Sequence, residues 1–159
     1  MLHQSSFSLL VHTSRTASQM IRISRIGTTR LVLVIGPWAI KVGRDPRGRR
    51  CNQHEADLFA SVDDRRRAML CPARWCSSGG RLLVMAAATP LTEPEKEELI
   101  DSNGFPDWDY MPGEESEPFE YKASDWGWFN GRLVALDYST RAHDSPEELA
   151  ELRRAGCGE

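Results

Sequence analysis

No apolar run in this 159-residue chain is long enough to cross a membrane as a helix. The longest strongly apolar stretches, Leu31–Ile35 and Leu82–Ala88, fall far short of the ~20 residues required. Cysteine is scarce, with four in all (Cys51, Cys71, Cys76 and Cys157), which excludes a disulfide-dense scaffold. The first nineteen residues lack a continuous apolar core and a small-residue cleavage site, so they do not read as a secretory leader. A reducing, cytoplasmic setting with free thiols is the expectation. Acids are missing altogether from Met1 to Arg44, where six basic residues stand, and no internal repeat is visible. A net charge of −3 over the whole chain argues against a general nucleic-acid or anionic-membrane binder.

What is present fits one soluble domain. Hydrophobic residues at 40% and charged residues at 27% are close to globular averages. The charge is unevenly placed: Glu93–Asp125 carries twelve acids against Lys96 and Lys122. Residues 1–19 read as a flexible extension and 20–159 as one domain. Cys51, His54, Cys71 and Cys76 offer four soft ligands, but their spacing lacks the tight pairs of a zinc knuckle. Half-buried thiols are therefore expected, with a structural zinc as the alternative.

Along the chain, Met20–Ile26 alternates apolar and basic residues, Arg30–Ile35 is a short apolar run, and Trp38–Val42 alternates again after Gly36-Pro37. These predict three antiparallel strands. Arg44–Arg50 reads as a turn cluster. Glu55, Leu58, Phe59 and Val62 then fall on one stripe of a helix, so Glu55 lies on an apolar face and needs a buried partner. Asp63–Arg67 reads as a solvated charged stretch, and Arg81–Ala88 as a buried strand. Thr92–Glu120 is acidic and proline-rich, mostly loop after a short helix over Glu95–Ile100. Within it, Asp107-Trp108-Asp109-Tyr110 suits either protein recognition by an exposed aromatic or a docked loop end. Asn130-Gly131 marks a hairpin between Trp126–Phe129 and Arg132–Leu136. Ser145-Pro146-Glu147-Glu148 starts a last helix.

Taken together, these elements resemble a reduced protein-kinase-like fold, of the kind seen in short kinase-like proteins of phages and mobile elements. Ala39-Ile40-Lys41 is similar to the kinase V-A-I-K strand, with Glu55 as the partner of Lys41. Leu82–Ala86 resembles the strand leading to the kinase hinge. Glu120-Tyr121-Lys122-Ala123-Ser124-Asp125 follows D-x-K-x-x-N, and Asp137-Tyr138-Ser139 stands where D-F-G would. The resemblance implies an α+β fold: an antiparallel sheet with a packed helix, like a kinase N-lobe, then a C-terminal hairpin and short helix, with the helical lobe largely missing. It also implies ATP and Mg²⁺ as cofactors. Lys41, Glu55 and Met85 would bind the nucleotide, Asp125 and Asp137 the metal, and Glu120 and Lys122 would be catalytic. The departures are as plain. No G-x-G-x-x-G occurs in the first hairpin, Glu120 replaces an aspartate, and 22 residues follow Asp137. The expected function is a degenerate kinase-like nucleotide-binding or protein-interaction module that engages another protein through the acidic segment 92–120. A small active Mg-ATP phosphotransferase is the alternative.

Overall fold

The computed structural model describes residues 21–26, 29–110 and 117–140. The expected extension 1–19 and the helix started by Ser145 lie outside them. Three strands open the chain: β1 (Ile21–Ile26), β2 (Arg30–Ile35) and β3 (Trp38–Gly43), paired antiparallel. Gly36 has φ 56° and Pro37 is the second central residue, so the β2–β3 connection is a type II′ turn, whose twist suits a hairpin. A two-residue turn leaves one register, with Ile35 opposite Trp38, Val32 opposite Lys41 and Arg30 opposite Gly43. Because side chains alternate between faces, Arg30, Val32, Val34, Ala39 and Lys41 share one face.

Helix α1 (Pro46–Ser61) starts earlier than the sequence suggests. Arg44–Arg50 is not a turn cluster: the Asp45 carboxylate accepts the Gly48 N–H at 2.7 Å, and Pro46 takes the first helical position, where no N–H is needed. The helix buries Gly48, Cys51, Asn52 and Glu55 on one stripe. The Asn52 side chain donates to the carbonyls of Lys41 (3.1 Å) and Gly80 (2.8 Å), fastening helix to sheet. Asp63 likewise caps α2 (Asp64–Met69), so the expected charged stretch is helical. Two more strands complete the sheet: β4 (Ala73–Cys76), which no sequence signal announced, and β5 (Leu82–Ala86). The strand order is β1-β2-β3-β5-β4.

Three residues beyond β5, the chain enters a second antiparallel sheet of β6 (Thr89–Pro90), β7 (Trp126–Phe129) and β8 (Arg132–Ala135). Asn130 (φ 50°) and Gly131 (φ 75°) form the β7–β8 turn, as that dipeptide predicts. Between β6 and β7 lie α3 (Glu93–Asp101), closed by a Thr92–Glu95 capping box, and the acidic segment. The fold is therefore α+β with antiparallel sheets and a few helices. Its core lies where the two sheets meet: Leu70, Cys71, Leu83 and Met85 pack with Trp126, Val134, Ala135 and Tyr138. The Cys71 N–H donates to the Ala135 carbonyl at 2.9 Å across that junction. Among the described residues no helix is long and apolar enough to cross a membrane.

Candidate functional site

The face of the five-stranded sheet that carries Lys41 overlooks the base of the second hairpin, and a cleft opens between them. Its walls are apolar, from Val32, Val34, Ala39, Met85, Ala86 and Leu136, with Lys41, Ser124 and Asp137 as polar members. The cleft is open at its mouth and its cavity volume is about 70 Å³.

At the inner end sits a buried charge network. Glu55, fully buried, accepts from the Lys41 ammonium at 2.8 and 2.7 Å and from Arg30 Nη1 at 2.8 Å. Lys41 also donates to the Leu136 carbonyl at 2.7 Å, so its three N–H groups each have an acceptor. Arg30, only 7% exposed, extends from Glu55 to the other side of the cleft. There its Nη2 donates to Asp137 Oδ1 (2.7 Å) and to Ser139 Oγ (2.9 Å), and the Ser139 hydroxyl in turn donates to Asp137 Oδ1 at 2.9 Å. Two cations and two anions are thus interlocked across elements that are up to 107 residues apart in sequence.

The charges act on one another. Burial alone would push the Asp137 carboxyl up, but Lys41 and Arg30 outweigh it and hold the group well below the usual carboxylate range. Burial also disfavours charge on Arg30, yet Glu55 and Asp137 keep its guanidinium protonated more firmly than in water. Tyr138, whose hydroxyl donates to the Cys71 carbonyl at 2.9 Å, is raised well above its ordinary value by burial and then by Glu55. The Cys71 thiol, on the cleft wall, is pushed up to about 11, chiefly by burial.

The sequence-predicted residues divide into two groups. Lys41, Glu55, Met85 and Asp137 converge on the cleft and its inner end. Asp125 lies beside Asp137 along the backbone: its carbonyl accepts the N–H groups of Leu136 (2.6 Å) and Asp137 (3.3 Å). The Asp125 carboxylate, nearly buried, accepts the Ser124 hydroxyl at 3.0 Å. Glu120 and Lys122 do not line the cleft; they pair with each other, with side chains 47% and 62% exposed. Sequence reasoning missed Arg30 and Ser139. The signal for Arg30 was the two-residue turn, which places it on the Lys41 face once the register is counted.

The apolar walls suit the flat ring of a nucleotide. A divalent cation fits less well, because Asp137 Oδ1 already accepts from Arg30 and Ser139 and the Arg30 charge stands 2.7 Å from it. Among the described residues no three His, Cys, Asp or Glu side chains converge as a metal site. Cys51, Cys71 and Cys76 are free thiols. Cys71 donates to the Ala86 carbonyl and Cys76 to that of Asn52.

Comparison with protein-family models, curated proteins and solved structures finds no match to this chain.

Proposed function

We propose that this chain is a reduced kinase-like protein whose cleft holds a nucleotide and which works as a binding module rather than as a phosphotransferase. The observation that carries the reading is the Lys41–Glu55 pair at the inner end of an apolar cleft, lysine on the third strand and glutamate on the following helix. That is the arrangement the kinase resemblance calls for. Met85 and Ala39 supply apolar contact for the base. Against transfer chemistry stand Glu120 and Lys122, which face each other outside the cleft rather than an acceptor within it. The acidic segment 92–120 is the surface for a basic partner protein, and its contact weakens as salt rises.

Thermal denaturation with added nucleotide tests the reading. Ligand at about 100 times its dissociation constant adds about 2.7 kcal/mol of stability, a rise of roughly 5–10 °C for a chain of this size. No rise with ATP, ADP or GTP, with and without Mg²⁺, would refute nucleotide binding. Transfer of the γ-phosphoryl group to the chain itself or to an added protein would replace this reading with the active-enzyme one.

A further inference from the structure

We infer that Arg30 occupies the place a divalent cation would take at Asp137, so that the cleft binds a nucleotide through its base and sugar and needs no metal. The inference rests on the nucleotide reading above and narrows it to one part of the ligand.

The geometry is that of a bridging cation. One guanidinium nitrogen contacts Glu55 at 2.8 Å and the other contacts Asp137 at 2.7 Å, with Ser139 completing the second contact at 2.9 Å. The group is buried, and its planar fork suits a carboxylate on each arm. A metal ion arriving at Asp137 would have to displace this arm or sit beside a fixed positive charge. Displacement would strip the buried Arg30 guanidinium of its Asp137 and Ser139 contacts and leave it Glu55 alone, which is costly in a poorly solvated site.

Charge balance leads to the same conclusion. Lys41 and Arg30 contribute two positive charges, Glu55 and Asp137 two negative ones, so these four groups leave no excess positive charge before any ligand enters. All three Lys41 donors are committed, two to Glu55 and one to the Leu136 carbonyl. A polyphosphate therefore finds no net field to attract it. The apolar walls of Val32, Val34, Ala39 and Met85 remain as the source of affinity, and they read the uncharged end of the ligand.

Calorimetric titration of the full chain with adenosine, with ATP in EDTA and with ATP plus Mg²⁺ tests this. Dissociation constants for the three are expected to agree within about threefold. ATP binding at least tenfold tighter with Mg²⁺ than in EDTA would overturn the inference and leave the nucleotide reading standing. Failure of all three to bind would overturn the nucleotide reading itself, and the inference with it. The Asp137→Asn variant separates the two roles of that acid in opposite directions. With Arg30 left in excess, ATP in EDTA is expected to bind several-fold tighter than to the wild type, while adenosine is unchanged. Loss of ATP binding in the presence of Mg²⁺ in this variant, with adenosine binding retained, would identify Asp137 as a metal holder and refute the Arg30 assignment.

Discussion

Glu55 is the residue on which the buried charges depend. It is fully buried and satisfies both Lys41 and Arg30, so removing its charge leaves two buried cations facing the single anion Asp137. Breaking a buried pair in this way typically costs about 3–5 kcal/mol. For a chain of this length that is a fall in Tm of roughly 10 °C. Glu55→Gln keeps the shape and should show the whole loss in a thermal melt; a change of less than about 2 °C would mean that the network is not stabilising. Asp137 gives the network a pH signature. Its folded-state pKa lies below the ordinary 3.8, so its contribution is present above that pH and is lost as the pH falls below it. Wild-type stability should therefore decline between about pH 5 and pH 2 more steeply than that of Asp137→Asn, measured by urea unfolding at each pH. Parallel curves would disprove the claim. At this scale the sequence was partly legible. Lys41, Glu55 and Asp137 stood out because each is a charged residue on an apolar strand or stripe. Arg30 did not, because it opens an apolar run in a basic stretch and its partners Glu55 and Asp137 are 25 and 107 residues away.

Elements were legible where their signals are local. Both short turns, Gly36-Pro37 and Asn130-Gly131, are specified by the backbone angles that their residues permit. The β4 strand was not, since four residues on a sheet edge with a register irregularity carry no periodicity to detect. The start of α1 shows a different failure. Asp45-Pro46 serves equally as a turn or as an N-cap with proline at the first helical position, and what separates the two is a tertiary contact. That contact is at Gly48, where a Cβ would lie 2.1 Å from the Thr29 carbonyl oxygen. The helix can approach the sheet there only without a side chain, and the approach brings Glu55 within reach of Arg30, the residue after Thr29. Helix propensity alone says that Gly48→Ala should stabilise by about 1 kcal/mol. The contact predicts the reverse, a destabilisation of about 1–3 kcal/mol from overpacking against backbone. Denaturant unfolding decides between them, and a gain in stability would show that the close approach does not hold α1 in place.

At the scale of the whole molecule, the described parts of the segment from α3 to β7, residues 93–110 and 117–125, are held against the rest by aromatic rings. Composition leaves two readings of it, an exposed recognition surface or a docked loop end, and does not decide between them because Arg66, which receives Trp108, is 42 residues away in sequence. Trp108 is 4% exposed, packs edge-to-face on Phe119 with ring centres 5.5 Å apart, and lies 5.2 Å from the Arg66 guanidinium of α2. Arg66 also donates to the Trp108 carbonyl at 3.3 Å, and Arg65 stacks on Tyr110 at 3.8 Å. Phe105 and Phe119 both pack edge-to-face against Trp126 of β7, which ties the segment to the second sheet. An exposed recognition tryptophan is therefore not what Trp108 provides. Trp108→Ala removes a buried ring and a cation–π contact together, and large-to-small changes of this kind cost about 3–5 kcal/mol. A Tm lower by roughly 10 °C is expected, nearly the same at low and high salt because apolar packing dominates the loss. Replacing the exposed acids Asp107 and Asp109 with Asn should leave Tm within about 2 °C, since surface charges contribute little to stability, while weakening capture by a basic protein. A Trp108→Ala variant as stable as the wild type would mean that the segment is not docked, and the proposed acidic binding surface would then lose its rigid base.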